Sequence, residues 1–191
     1  MLARPKDPSL EKRLLESGWD ILAEGGFDAL SMSEVATRAG AHRSDVYRRW
    51  TTKTQLVAEV LAAHLPSVKS CDTGDLREDL RHFLDDLSRS WRAPWTEGLV
   101  GFLAELPKDP EAEVTFLNMA KHRSQPLTEA VTRALRRGEI TELPDLALLQ
   151  GLAEGPLMHK RLIGRQAMTP SELDLLADTI TAVATQGSPT R

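Results

Sequence analysis

Residues 31–56, SMSEVATRAGAHRSDVYRRWTTKTQL, crowd successive helix starts and stops into one short stretch, and no other part of the chain is as constrained. Ser31 and Glu34 form a capping box: the hydroxyl accepts from the Glu34 N–H, and the carboxylate reaches back to the start of the helix. That helix buries Val35, Ala36 and Ala39 and ends at Gly40. The two alanines are small enough to let a second helix cross closely. It follows after a turn of two or three residues, and a tight glycine turn between short helices is the mark of a helix-turn-helix. In the second helix Val46 and Trp50, four apart, face the core. Arg43 with Tyr47, and Ser44 with Arg48, are the pairs that face outward. His42 stands at the helix start. Asp45 and Arg49 lie to the side as a further pair four apart. Thr52 and Gln55 make a second capping box and open a helix through Leu56, Val57, Val60 and Leu61 to about Leu65, before Pro66. Lys53 sits in its first turn, where an ammonium beside free N–H groups suits a phosphate.

Charge sharpens this. The chain carries a net charge of -4 over 191 residues, which excludes general polyanion stickiness. Residues 38–53 nevertheless hold Arg38, Arg43, Arg48, Arg49 and Lys53 against Asp45 alone. A basic spot in an acidic protein points to one contact face for nucleic acid. Arginine can pair bidentately with a guanine edge, worth roughly 1–3 kcal/mol of discrimination. The candidate DNA contacts are therefore Ser33, His42, Arg43, Ser44, Tyr47, Arg48 and Lys53.

Ahead of this stretch, Arg4, Pro5, Lys6 and Pro8 read as a basic arm. Ser9 is the expected cap of a first helix that carries Leu14, Leu15, Ile21 and Leu22 and stops at Gly25 and Gly26. Beyond it, residues 67–74 read as a linker. Apolar residues then recur at spacings of three and four to the end of the chain, without strand alternation, so the fold class is all-α. Helices are expected at 75–92, from about 95 to 107, and from Asp109 with Val114, Leu117 and Ala120 inward. A restart capped by Ser124 is expected at Pro126, then a helix near 145–163 kinked at Gly155 and Pro156, and a last one after Thr169 with Pro170 in its first turn.

From Ser31 to Leu56 the chain resembles the DNA-binding domain of TetR-family transcriptional regulators. The matching positions are Ser31, Val35, Ala36, Ala39, Gly40, Val46, Tyr47, Trp50, Lys53 and Leu56, with the Gly26–Phe27 approach; the likeness covers about residues 9–65. His42 departs from the small hydroxyl residue common there, and Trp50 from the usual Phe. Residues 137–140 (RGEI) and Gly155, Pro156 and Leu157 resemble one type of C-terminal domain in that family. The resemblance implies about nine helices, a three-helix head carried by helix 4 (1–66) and a helical effector-binding and dimerisation domain (67–191). It carries Tyr47 and Lys53 to phosphates. It implies a cytoplasmic homodimer, a repressor released from a palindromic operator by a small molecule, with half-sites about 34–36 Å apart or a multiple of that. The last two helices would pair across a two-fold axis through Leu146, Leu149, Ala153, Leu157, Leu173, Leu176, Ile180 and Val183. Bulky residues of the second half, Trp91, Trp95, Phe102, Phe116, Met119 and Met158, with His122 and His159, would line a pocket for an apolar or aromatic effector.

The residues themselves leave other readings open: a DNA-binding adaptor controlled by a protein partner, or an all-α enzyme or interaction module. Against an enzyme, the five histidines are scattered with no metal spacing, and no P-loop or GxGxxG occurs, so no metal or cofactor is expected. The single Cys71 forms no intrachain disulfide, which fits a reducing cytoplasm. No run of 18 apolar residues exists, so no membrane span is expected.

Overall fold

The computed structural model describes residues 8–186; the basic arm at Arg4 and Lys6 and the tail beyond Gln186 lie outside the described residues. Among these, all regular structure is helical. The α-helices are α1 (Pro8–Ala29), α2 (Met32–Arg38), α3 (Arg43–Tyr47), α4 (Lys53–His64), α5 (Leu76–Trp91), α6 (Leu99–Glu105), α7 (Pro110–Arg137), α8 (Leu146–Leu162) and α9 (Pro170–Thr185). Short 3-10 turns at Pro94–Gly98 and Leu106–Lys108 flank α6. Packing divides the chain into two compact units that interleave in sequence: residues 1–65 with 94–120, and 66–93 with 121–191.

In the first unit α1 packs on α4, α2, α6 and the 94–98 turn. Its core is Leu14, Ile21, Leu22, Leu30, Val35, Val46, Leu56, Val57, Val60 and Leu61, all buried. Each such side chain contributes on the order of 1.5–3 kcal/mol when fully buried. The helix begins at Pro8, whose fixed φ suits a first turn. Ser9 therefore lies inside α1 rather than capping it, and accepts from Arg13. Gly26 leaves helical geometry at φ 71°, ψ −169°, so the chain turns where the glycine pair foretold. A Cβ on Gly98 would stand 2.7 Å from the Gly26 Cα, so two backbones meet here because neither residue has a side chain. Beside them Phe27, Phe102 and Phe116 stack edge to face, with centroids 6.1 and 5.4 Å apart.

The second unit packs α5 against α9 and α8, and α8 against α9. Asp75, Asp145 and Thr169 cap these helices through their side chains. Arg81 and Arg77 of α5 hold Asp174 and Asp178 of α9, each at 2.6 Å. The expected restart at Pro126 does not occur: α7 is one helix through it. A proline there removes one N–H and leaves the His122 carbonyl without its helical partner. His122 is exposed, where water can serve that carbonyl. The Ser124 hydroxyl donates back to the Lys121 carbonyl instead of capping a new helix. Val114 and Leu117, expected inward, are exposed; Ala112 and Met119 are the buried face of α7 in the first unit. Helix α8 spans Leu146–Leu162 with Gly155 and Pro156 inside it.

Candidate nucleic-acid interface

The α2–turn–α3 geometry follows from its caps. Ser31 accepts from the Glu34 N–H at 3.1 Å, but only this half of the expected box forms; the Glu34 carboxylate lies 3.9 Å from Arg38 instead. After α2 the Ala41 N–H reaches the Ala36 carbonyl at 2.9 Å, and Gly40 takes φ 64°, the left-handed turn that glycine makes cheaply. His42 heads α3 with its backbone N–H donated to the Asp45 carboxylate at 3.1 Å. Val46 and Trp50 anchor the short helix in the core.

This leaves one face outward. Ser33, His42, Arg43, Ser44, Tyr47 and Arg48 are all exposed. Both guanidiniums on this face have partners within the chain. Arg43 donates to the Tyr47 hydroxyl at 3.0 Å and lies 5.1 Å from its ring centroid. Arg48 pairs with Asp45. The expected Asp45–Arg49 pair is thus replaced. Arg49 folds inward, its side chain 5% exposed, donating to the Asp45 carbonyl at 3.0 Å and lying 3.5 Å from Glu11 of α1. Three residues of spacing let Arg48 reach a carboxylate on the outer face, whereas Arg49 is drawn over the inner one.

Lys53 is half-buried, with Nζ 4.0 Å above the Phe27 ring. Desolvation lowers its pKa, while Asp28 and Glu105 act in the opposite sense. The ammonium therefore rests on an aromatic face. The Thr52 hydroxyl caps Gln55 at 3.1 Å, but the Gln55 side chain does not return to Thr52. Its carbonyl accepts the Thr51 N–H and hydroxyl, both at 2.9 Å, and its amide donates to Asp109 at 3.3 Å and Glu111 at 3.0 Å. Asp109 also accepts from the Thr52 hydroxyl. Asp109 was legible as a helix start, but nothing local in the sequence pointed to it as the partner of Thr52 and Gln55.

The eight candidate pocket residues fall into two sets. Trp95, Phe102 and Met119 are buried and Phe116 half-buried in the first unit; Trp91 is buried in the second, where His122, Met158 and His159 are exposed. The second unit holds a polar cluster that sequence reading missed. Trp91 donates to Glu154 at 3.0 Å, and Arg123 donates to Ser90 at 3.0 Å and to the Pro66 carbonyl. Burial pushes Glu154 up and Arg123 down from their ordinary values. Leu149, Ala153, Leu157, Leu173, Leu176 and Ile180 are buried within one chain, and Leu146 and Val183 are half-buried. The inner faces of α8 and α9 are occupied by α5 and by each other, so the fully buried residues cannot also be a surface offered to a partner. The apolar residues left outside are Leu148 (49% exposed), Met158 (40%) and Leu175 (67%). Exposed Gly151 and Ala182 lie on the same two helices.

Residues 14–60 match the model of bacterial regulatory proteins of the tetR family, and residues 71–180 match the Tetracyclin repressor-like C-terminal domain. The chain is 30% identical over 154 residues to the DNA-binding transcriptional repressor TetR of Mycobacteroides abscessus, covering 79% of this chain and 81% of that one. It is 27% identical over 158 residues to the HTH-type transcriptional regulator AqdR of Rhodococcus erythropolis, covering 82% and 76%. Its fold is similar to the crystal structure of the TetR family transcription regulator SCO0332, with a TM-score of 0.70, 20% identity, and 91% and 97% of the two chains covered.

Proposed function

The chain belongs to the TetR family of DNA-binding transcriptional regulators, and on that premise we propose a homodimeric repressor that is released from a palindromic operator by a small-molecule effector. Residues 1–66 form its DNA-binding domain and 67–191 its effector-binding and dimerisation domain. One α3 enters each of two major grooves, Arg43 and Arg48 read base edges, and Ser33, His42, Ser44, Tyr47 and Lys53 meet the backbone or neighbouring edges. The observation that carries this reading is the outward face of α3: every polar candidate on it is exposed, while Val46 and Trp50 hold the helix from behind. Binding exchanges the Arg43–Tyr47 and Arg48–Asp45 contacts for contacts with DNA, so specificity rests on arginines already held close to their working positions.

The dimer surface follows from the same logic applied to α8 and α9: Leu148, Met158 and Leu175 need an apolar partner, and a second copy supplies one. For the effector, the Trp91–Glu154 and Arg123–Ser90 contacts supply donors and an acceptor beside the apolar core of the second unit. That combination suits an apolar or aromatic body with one polar group. A differential affinity of about 1–3 kcal/mol between the two conformations would weaken operator binding 5–150-fold.

Selection of duplexes from a random pool, followed by fluorescence anisotropy on DNA flanking the protein's own gene, tests the reading. The expected product is a two-fold symmetric site bound far more tightly than scrambled DNA. Recovery of unrelated sequences bound with equal affinity would remove α3 as a reading helix. Thermal-shift screening of apolar and aromatic compounds, with operator release as the readout, tests the effector.

A further inference from the structure

Two helix N-termini converge on one carboxylate. Asp109 precedes α7, whose first residue Pro110 has no N–H, and it accepts from the Ala112 N–H at 3.2 Å. The same side chain accepts from the hydroxyl of Thr52, the N-cap of α4, and from the Gln55 side-chain amide at 3.3 Å. Thr52 has one hydroxyl proton. It goes to Asp109, and the oxygen remains free to accept from the Gln55 N–H at 3.1 Å. Gln55 closes the net by holding Thr51 through its carbonyl and Glu111 through its amide. Asp109 is 9% exposed. Burial alone would raise its pKa, but the bonds from Thr52, the Ala112 N–H and Gln55 outweigh that and hold it below its ordinary value. The residues so fixed, Thr51 and Thr52, lead directly into Lys53 and the first turn of α4.

We propose that Asp109 is a positioning residue for DNA binding: it sets the pose in which the Thr51–Lys53 segment presents an ammonium and helix N–H groups to a phosphate. The inference rests on the reading that this segment meets the DNA backbone. A carboxylate is required because every group that bonds the Asp109 side chain is a donor. An amide in its place would aim its own NH2 at one of them. The latch ties a segment inside the helix-turn-helix region to a carboxylate 57 residues further along the chain, so it acts on placement and not on which base is read.

The test uses Asp109→Ser in the full-length chain. Serine still caps α7, because its hydroxyl can serve the Ala112 N–H, but it is too short to hold Thr52 and Gln55. Asp109→Ser is expected to bind the selected operator about tenfold more weakly, with the ranking of operator variants unchanged. Lys53→Ala should cost less in the Asp109→Ser background than alone, because the two act on one phosphate contact. Hydrogen exchange supplies a readout that capping by itself would not move. Adding operator should slow the amides of Ala112 and Glu113 in the wild type and not in Asp109→Ser. Thr52→Ser keeps the hydroxyl and should bind as the wild type does. If Asp109→Ser proves unfolded by circular dichroism, Thr52→Val against Thr52→Ser carries the same comparison from the other end of the latch. Wild-type affinity in Asp109→Ser, or in Thr52→Val, overturns the proposal. If Lys53→Ala leaves the salt dependence of binding unchanged, the phosphate reading beneath it fails first.

Discussion

The chain shows the world two unlike faces. On α3 the exposed surface is polar: two guanidiniums, a phenol and a hydroxyl stand out from a helix whose inner face is Val46 with Trp50 just beyond it. On α8 and α9 the exposed surface is apolar, with Leu148, Met158 and Leu175 outside and Leu149, Leu157, Leu173 and Ile180 inside. A helix with one apolar face has one choice of which side to bury. A helix apolar on both sides must divide them between its own core and something else. The first kind declares its function through residue type; the second declares it only when the core has been seen.

The largest expected effects test that division. Leu148→Glu combined with Leu175→Glu places charge on the outer faces only. It should leave circular dichroism unchanged, give a monomer by sedimentation, and weaken operator binding by roughly 10²–10⁴, because the second head no longer adds its contacts. Leu149→Glu or Leu176→Glu should instead unfold the second unit, since a buried unpaired carboxylate is among the costliest changes a core can suffer. If the outer pair leaves the dimer intact and an inner one dissociates it with its fold preserved, the two sides of α8 and α9 have been assigned the wrong way round.

On the polar face the effects are smaller and more selective. Arg43→Ala and Arg48→Ala should each lose about 1–3 kcal/mol against the preferred operator and less against variants at one base position. Equal loss on every sequence would reduce that arginine to a phosphate contact. Arg48→Ala also frees Asp45, whose uncompensated charge would face DNA, so Arg48→Ala should exceed Arg43→Ala. Below these lies Lys53→Ala, expected to weaken all sequences alike and reduce the salt slope by about one. Its ammonium must first leave the Phe27 ring, so Phe27→Leu should change Lys53's contribution without changing sequence preference.

These contrasts also explain how much could be read beforehand. Ser31, Gly40, Thr52 and Thr169 mark helix ends through bonds made within a few residues, and α2, α4 and α9 begin or end where those residues stand. The exposed candidates on α3 were legible for the same reason: five residues of helix with one anchored side leave little freedom. What was not legible depends on distant partners. Gln55 gives up its return to Thr52 because Asp109 and Glu111 offer acceptors on another helix. Val114 and Leu117 look like core by spacing, yet Ala112 and Met119 take that side. Pro126 looks like a stop, yet α7 continues through it, with Met119 before it and Leu127 after it buried. Glu154 and Arg123 look like solvent-facing charges, yet they lie against Trp91 and Ser90.

The smallest effects separate two carboxylates of the second unit by sign. Glu172 is held down to about 2 by its bond from Lys160, with help from the Thr169 N–H and hydroxyl. A lowered folded-state pKa means stability that is present above the ordinary carboxylate value of 4.5 and lost as pH falls through that value toward about 2. Lys160→Ala should therefore lower the melting temperature slightly at pH 7, and the difference from wild type should shrink as pH drops from 5 to 3. Glu154 runs the other way. Burial raises its pKa, and the bond from Trp91 and the nearness of Arg123 only partly offset this. Its folded state favours the proton, so its contribution is most favourable below the ordinary value and declines as pH rises through the raised one. Glu154→Gln keeps an acceptor for the Trp91 N–H and never ionises. It should gain on wild type as pH increases from 4 to 8, where Lys160→Ala shows no gain at all. Parallel pH dependence in the two variants would mean that Glu154 is solvated like a surface group, and with it would go the polar cluster as a place for an effector to engage.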